Sequence, residues 1–114
     1  PTKFSEGQYG ADLEEVGAYL SEYPNVHLYK GFFPSTRGPI ESKKFSFVHL
    51  DVDLYQSTKE SLEFFYPRMT RGGVILSHDY MTATGVRKAV DEFLADKPEA
   101  LFESSWSQCV FVKL

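Results

Sequence analysis

The sequence predicts an α/β domain whose sheet has parallel strands at its centre and an antiparallel hairpin at one edge. Two observations predict this class. Short apolar runs rich in β-branched residues alternate with longer amphipathic stretches, as in βαβ units. The last two apolar runs are separated by only four residues, a connection that requires antiparallel neighbours. A length of 114 residues with 42% hydrophobic content fits a single domain over residues 1–114.

Three segments have helical spacing: the first precedes the predicted strands, and the other two lie between them. The first begins at residue 11 or 12 and ends before Pro24, which cannot continue a helix. The second follows a cap at Ser57 or Thr58 and ends before a Gly-Gly pair. The third ends at Lys97 and Pro98. The strands are predicted at 26–30, 45–51, 73–77, 100–104 and 109–113.

Polar residues follow two of these strands, at the point where each one ends. Asp51 closes the strand at 45–51, and His78 and Asp79 follow the strand at 73–77. Because ligands of open α/β sheets bind at the carboxyl ends of the strands, we expect the three side chains to converge. Carboxylates suit Mg²⁺, Ca²⁺ or Mn²⁺, and an added imidazole tolerates Mn²⁺ or Fe²⁺. The alternative is that both aspartates only cap the helices that follow.

Two further residues have open interpretations. Asp53 faces away from Asp51 if the strand continues that far, and it is as consistent with a cap or an ion pair as with a ligand. Trp106, in the hairpin connection, packs either over a ligand or over the helix ends.

Composition and charge argue against several classes of protein. Twelve basic and sixteen acidic residues give a net charge of −4, which disfavours binding to nucleic acid or to an anionic membrane. The expected partners are therefore small molecules or proteins. No apolar run approaches the roughly 20 residues that span a bilayer. Cys109 is the single cysteine, so no internal disulfide can form, and a cytoplasmic location is expected.

The phosphate-binding loops GxGxxG and GxxxxGK[ST] are absent from the sequence. The Asp-X-Asp that follows the strand at 45–51 also occurs in haloacid-dehalogenase phosphatases and in glycosyltransferases, where it holds a metal and a nucleotide diphosphate. The phosphatases normally carry Thr or Val at the position of Tyr55. Asp-X-Asp alone does not decide between these enzymes.

Four segments together resemble the macrocin and mycinamicin sugar O-methyltransferases, a family of class I enzymes that use S-adenosylmethionine. These segments are FVHLDVDLYQST at 47–58, FYPRM at 65–69, GGVILSHDY at 72–80 and GVRKAVDEF at 85–93. The resemblance covers about residues 26–114. It implies transfer of a methyl group, assisted by Mg²⁺ or another divalent cation, to a hydroxyl of a sugar, a phenol or another small molecule.

The resemblance also implies roles for individual residues. Asp51, His78 and Asp79 match the metal ligands, although the family has two acids where this chain has His78-Asp79. As a metal ligand, Asp51 would lie next to the reacting oxygen, so its carboxylate could also accept the hydroxyl proton. The S-adenosylmethionine site is matched by Asp51 and Val52 near the methionyl part and by Gly31, Phe32 and Phe33 near the adenine.

The fold implied by the resemblance is a Rossmann-like class I methyltransferase sheet that is incomplete at the N-terminus. Strands 1 and 2 and the glycine-rich turn of the family have no match in the sequence. We therefore expect the chain to be the C-terminal part of a methyltransferase-like domain, with little or no activity alone. An uncovered edge strand would favour a homo-oligomer. The alternative functions are a non-catalytic module that binds a metal or a protein and an Asp-X-Asp glycosyltransferase.

Overall fold

The apolar runs and amphipathic stretches of residues 11–114, the part of the chain that the computed structural model describes, form three α-helices and four strands. Two short 3-10 turns, at Gly38–Ile40 and Tyr66–Arg68, lie between them. The elements in chain order are α1 (Leu13–Tyr19), β1 (Phe45–Leu50), α2 (Tyr55–Phe65), β2 (Met69–Ser77), α3 (Thr84–Leu94), β3 (Phe102–Ser104) and β4 (Gln108–Val112).

The four strands form one mixed sheet in the order β1-β2-β4-β3. β1 and β2 are parallel, and β4 is antiparallel to both β2 and β3. The predicted terminal hairpin is therefore confirmed, and β1 and β2 pair in parallel as predicted. The parallel pair lies at one edge of the described sheet, however, and the central pair, β2 and β4, is antiparallel. The β1–β2 ladder is irregular between Phe45 and Phe47: Phe45 pairs with Met69, and Phe47 pairs with Val74. Gly73 lies in this irregularity, where an added Cβ would come within 2.9 Å of the Thr70 carbonyl oxygen.

Helices α2 and α3 pack on one face of the sheet and on each other. Alternation along the strands sends every second side chain to this face. The buried cluster there joins strand and helix residues: Val48, Leu50, Ile75, Cys109 and Phe111 from the sheet, and Leu62, Val86 and Val90 from the helices. The helical spacing of the apolar residues in the sequence therefore predicted the covering face correctly.

The opposite face of the sheet is apolar but is not covered by a helix within residues 11–114. Phe47 is 59% exposed there, and Val112, at the end of β4, is 42% exposed. The largely apolar sequence of β1 predicted that both faces would be covered. In the described part of the chain, only the face that carries Val48 and Leu50 is covered.

The predicted strand at 26–30 is wrong. These residues are irregular and exposed, and they pair with no strand of the sheet. A strand needs a hydrogen-bonded neighbour, and the β-branched and aromatic character of this segment does not supply one. The segment before β1 instead contacts the domain through Phe33, which stacks on Phe65, and through the Glu41 carbonyl, which accepts a hydrogen bond from Arg68.

The predicted first helix is confirmed as α1, with Asp12 as its N-cap: the Asp12 carboxylate accepts a hydrogen bond from the Glu14 N–H. The second helix begins earlier than predicted, at Tyr55, and Thr58 lies inside it. Within residues 11–114, every helix is too short or too polar to cross a bilayer.

A buried carboxylate links the turn after α2 to the end of the chain. Glu99 is 6% exposed, and its two carboxylate oxygens share the hydroxyl proton of Tyr66, each at 2.8 Å. The backbone N–H of Leu114 donates to the same carboxylate at 3.1 Å. Burial opposes ionisation of Glu99, but these hydrogen bonds outweigh it and lower the pKa of Glu99.

Leu62→Ala tests the core. Leu62 is fully buried between α2 and the sheet, so we expect the free energy of unfolding in urea to fall by about 2 to 5 kcal/mol. Leu54→Ala is the matched control, because Leu54 is 65% exposed and the same substitution should change stability by only about 0.5 kcal/mol. Equal losses in the two variants would contradict this assignment of the core.

Tyr66→Phe tests the buried carboxylate through pH. Glu99 has a lowered pKa when folded, so its stabilisation is complete above the unfolded value of 4.5 and is lost as the pH falls through the folded value. We expect the variant to lose about 1.5 to 3 kcal/mol at neutral pH, with a smaller loss in acid. Tyr55→Phe, which removes an exposed hydroxyl contact to Glu92, is the control. Urea unfolding at several pH values measures both, and a loss that does not shrink in acid would contradict the interpretation.

Candidate metal and acceptor site

Asp51, His78 and Asp79 converge at the carboxyl ends of β1 and β2, as the sequence predicted. Each offers one ligand atom, and these atoms all lie within 4.8 Å of one another. The parallel register sets this arrangement, because Leu50 pairs with Ser77 and the next residue of each strand leaves the sheet at the same edge. The backbone N–H of His78 donates a hydrogen bond to the Leu50 carbonyl at 2.8 Å, which holds the two strand ends together.

His78 directs a buried ring nitrogen toward both carboxylates. Its Nδ1 atom lies 3.1 Å from Asp79 Oδ2 and 3.8 Å from Asp51 Oδ1. Despite these short distances, no described residue makes a well-aligned hydrogen bond with Nδ1. The contact with Asp79 raises the pKa of His78 more than burial lowers it, and the charge of Asp51 adds to the increase. A ring nitrogen this close to two carboxylates pairs with Asp79 when the imidazole is protonated, and together with the carboxylates it offers a ligand set for a cation when the imidazole is neutral.

Asp79 is the buried member of the group. Burial opposes its ionisation, but the contacts with His78, Asp53 and Thr82 outweigh this and lower the pKa of Asp79. The Thr82 hydroxyl donates to Asp79 Oδ1 at 3.0 Å and fixes the carboxylate on that side. Asp51, in contrast, is exposed, with 58% of its side chain accessible. The site therefore has one fixed and one accessible carboxylate.

Asp53 lies with these groups and does not face away from them. The expected alternation assumed that the strand continues to Asp53, but β1 ends at Leu50 and Asp53 has a φ of 61°. Burial raises the pKa of Asp53 to about 6, and a hydrogen bond with Asp79 and the charges of Asp79 and Asp51 add to the increase.

An open pocket of about 570 Å³ lies beside the acidic group. The pocket is lined by His78, Asp79 and Thr82 of the loop after β2 and by Trp106 and Ser107 of the β3–β4 hairpin. Pockets of this volume are large enough for a small organic ligand. Trp106 is 87% exposed. The sequence left open whether Trp106 covers a ligand or the helix ends, and the structure places it at this pocket.

Backbone strain is concentrated around the same pocket. Among the described residues, the non-glycine positions with positive φ are Asp53, Asp79, Trp106 and Ser107, with φ between 60° and 62°. A left-handed backbone at a non-glycine residue costs about 1 to 3 kcal/mol and persists where the surrounding structure imposes it. All four lie in the strand-end loops and in the hairpin that faces them, as is typical of functional sites.

The predicted cofactor residues do not all come together. Asp51 and Val52 follow β1 directly, beside the acidic group. Phe33 instead packs against Phe65 and Phe64 at the end of α2, and Phe65 also contacts Phe45 at the start of β1. The six residues of β1 separate its two ends by roughly 20 Å. Phe32 is 91% exposed and Gly31 has a φ of 141°. The adenine contacts at 31–33 thus remain a prediction.

Comparison with known proteins gives the family. The family model described as Macrocin-O-methyltransferase (TylF) matches residues 13–111 of the chain. Among curated relatives, demethyldecarbamoylnovobiocin O-methyltransferase of Streptomyces niveus is 33% identical over 86 residues, which is 72% of this chain and 33% of that protein. The 8-demethyl-8-(2,3-dimethoxy-α-L-rhamnosyl)-tetracenomycin-C 4′-O-methyltransferase of Streptomyces olivaceus is 31% identical over 91 residues, which is 76% of this chain and 34% of that protein.

Solved structures agree with this result. The structure of the O-methyltransferase NovP matches with a TM-score of 0.77 and 26% identity, over 89% of this chain and 44% of that chain. CalS11, a TDP-rhamnose 3′-O-methyltransferase, matches in fold with a TM-score of 0.52 and 21% identity, over 85% of this chain and 36% of that chain. The chain spans about a third of the length of the curated relatives. The four-stranded α/β unit thus matches part of a methyltransferase, and the chain belongs to the macrocin O-methyltransferase family.

Proposed function

We propose that the protein takes part in methyl transfer from S-adenosylmethionine to a hydroxyl of a sugar-bearing small molecule, assisted by a divalent cation. The observation that carries the proposal is the convergence of Asp51, His78 and Asp79 within 4.8 Å at the strand ends of a chain from this family. The sugar acceptor is inferred from the relatives, one of which is named for methylation of a rhamnosyl group.

The three residues fit a divalent cation. Two carboxylates supply negative charge and hard oxygen ligands, and the buried Nδ1 of His78 supplies a nitrogen that has no hydrogen-bond partner among the described residues. Two oxygens and one nitrogen suit Mn²⁺ or Fe²⁺ as well as Mg²⁺. A cation bound here lowers the pKa of a hydroxyl that contacts it and orients that hydroxyl.

Asp51 is the proposed proton acceptor. It is the exposed carboxylate of the group, so an acceptor hydroxyl can reach it from solvent, whereas Asp79 is held by Thr82. The hydroxyl oxygen forms a bond to the sulfonium methyl group, the sulfur–carbon bond breaks with its electron pair left on sulfur, and the hydroxyl proton passes to Asp51. Asp51 and Val52 are the proposed contacts to the methionyl part of the donor. Gly31, Phe32 and Phe33 are the proposed contacts to its adenine, which they can reach only if their segment moves away from Phe65.

Asp51→Asn tests the cation site. The substitution removes one of the two carboxylate ligands, so we expect Mn²⁺ affinity to fall by about tenfold or more. Electron paramagnetic resonance of free Mn²⁺ measures the affinity. Asp96→Asn is the matched control, because the Asp96 side chain is 83% exposed and pairs only with its neighbour Lys97. Thermal unfolding without metal should be unchanged in both variants, and equal Mn²⁺ binding in both would contradict the site.

Label transfer tests the reaction. In a protein that combines this chain with a complete S-adenosylmethionine site, we expect methyl-labelled S-adenosylmethionine to label methyl α-L-rhamnopyranoside only when a divalent cation is present, and Asp51→Asn to abolish the label. The 114-residue chain alone should give little or no label. Label that persists in a chelator would contradict the role of the cation. Calorimetry with the methyl donor and with a nucleotide sugar distinguishes the alternatives. Binding of the nucleotide sugar alone favours a glycosyltransferase, and binding of neither favours a non-catalytic module.

A further inference from the structure

Trp106 is a large apolar side chain held in solvent at the mouth of a pocket. It is the single tryptophan of the sequence, and it is 87% exposed. Its side chain therefore contributes little to the hydrophobic core. Trp106 nevertheless lines the pocket of about 570 Å³ together with His78 and Asp79. An exposed indole that lines a pocket next to polar side chains offers an apolar surface to a ligand that also needs polar contacts.

The backbone at Trp106 is fixed in an unfavourable conformation. Trp106 and Ser107 both have left-handed backbones, with φ of 60° and 61°, a conformation that asparagine and glycine adopt far more readily than tryptophan. Neither side-chain burial nor turn preference explains a tryptophan at this position. Strain at a non-glycine residue beside a pocket is an indication of function.

Ser107 connects this turn to the loop that carries Asp79. Its hydroxyl oxygen accepts hydrogen bonds from the N–H groups of Met81 and Thr82 at 2.7 and 2.9 Å, and its carbonyl accepts from the Tyr80 N–H at 2.7 Å. Thr82 in turn donates to Asp79. The position of Trp106 relative to the acidic group is therefore set by hydrogen bonds and not by the hairpin alone.

We propose that Trp106 is the stacking platform for the sugar ring of the methyl acceptor, with the ring's C–H face on the indole and its hydroxyls toward Asp51 and Asp79. The proposal rests on the function proposed above and adds the residue that selects a cyclic sugar. Aromatic faces attract the polarised C–H groups of an apolar sugar face, and the carboxylates accept hydrogen bonds from its hydroxyls. A deoxy sugar such as rhamnose presents both surfaces.

The fluorescence of the single tryptophan gives a direct test. Methyl α-L-rhamnopyranoside is titrated into the 114-residue chain, and sorbitol, an open-chain polyol, is the control ligand. Stacking removes Trp106 from water, so we expect a saturable blue shift with the rhamnoside and no shift with sorbitol. An emission spectrum that does not change with the rhamnoside, or that changes equally with sorbitol, overturns the proposal.

Variants separate binding from folding. Trp106→Gly accepts the left-handed backbone and loses little buried surface, so its thermal stability should match or exceed that of the unmodified chain. Its affinity for the rhamnoside, measured by saturation-transfer nuclear magnetic resonance, should fall by about tenfold. Trp106→Phe should retain most of the affinity. Phe102→Ala, which removes an exposed aromatic ring of the same hairpin outside the pocket, should retain all of it. Unchanged affinity in Trp106→Gly overturns the proposal.

Mn²⁺ binding, measured on the same samples, separates the two proposals. Normal Mn²⁺ affinity in Trp106→Gly, with loss of rhamnoside binding, supports the platform and leaves the cation site intact. Normal Mn²⁺ affinity together with rhamnoside binding that does not depend on Trp106 overturns the platform alone. Rhamnoside binding that depends on Trp106 in a chain that does not bind Mn²⁺ supports the platform and contradicts the cation-assisted function.

Discussion

The parallel pairing of β1 with β2 is the constraint on which the site depends. Leu50 pairs with Ser77 in the ladder, and the His78 N–H donates to the Leu50 carbonyl, so the two chains leave the sheet together. Asp51 and His78 are then neighbours without any contribution from their own side chains. Since a one-residue slip in register would turn every β1 side chain to the other face, the packing of Leu50 in the core also fixes the position of Asp51.

The hairpin reaches the same edge because β4 runs antiparallel to β2. Ser77, the last residue of β2, pairs with Cys109 near the start of β4, and the turn that precedes β4 therefore lies beyond the carboxyl end of β2. Trp106 and Ser107 meet the loop after β2 for this reason. Burial of Cys109 in the core raises the pKa of its thiol to about 12, which is consistent with a packing role for this residue. Sheet topology thus brings the loops after β1 and β2 and the β3–β4 turn to one edge of the sheet, and the Ser107 hydrogen bonds fix the turn against the loop after β2.

The sequence predicted the features that local patterns determine and missed those that depend on contacts between distant segments of the chain. Apolar periodicity located β1, the 73–77 part of β2 and both long helices, and the rule that ligands bind at strand ends predicted the convergence of Asp51 and Asp79. The strand predicted at 26–30 failed because a strand depends on a hydrogen-bonded neighbour, which local sequence does not report. Asp53 was expected to face away from Asp51 only if the strand continued that far, and this condition fails because β1 ends at Leu50. The role of Ser107 could not be predicted, since its hydrogen bonds join segments 25 and 26 residues apart.

The strain around the pocket and the bare apolar face of the sheet have different physical meanings. Left-handed backbones at Asp53, Asp79 and Trp106 cost free energy at specific positions, and hydrogen bonds such as that from Thr82 to Asp79 offset part of this cost locally. The site is therefore stabilised by contacts within the described part of the chain. The exposed apolar face around Phe47, in contrast, has no covering helix within residues 11–114. The free energy that this face contributes to stability therefore depends on what buries it. The arrangement of the strand ends thus depends on contacts within the described part of the chain, whereas the stability of the sheet also depends on what covers its exposed face.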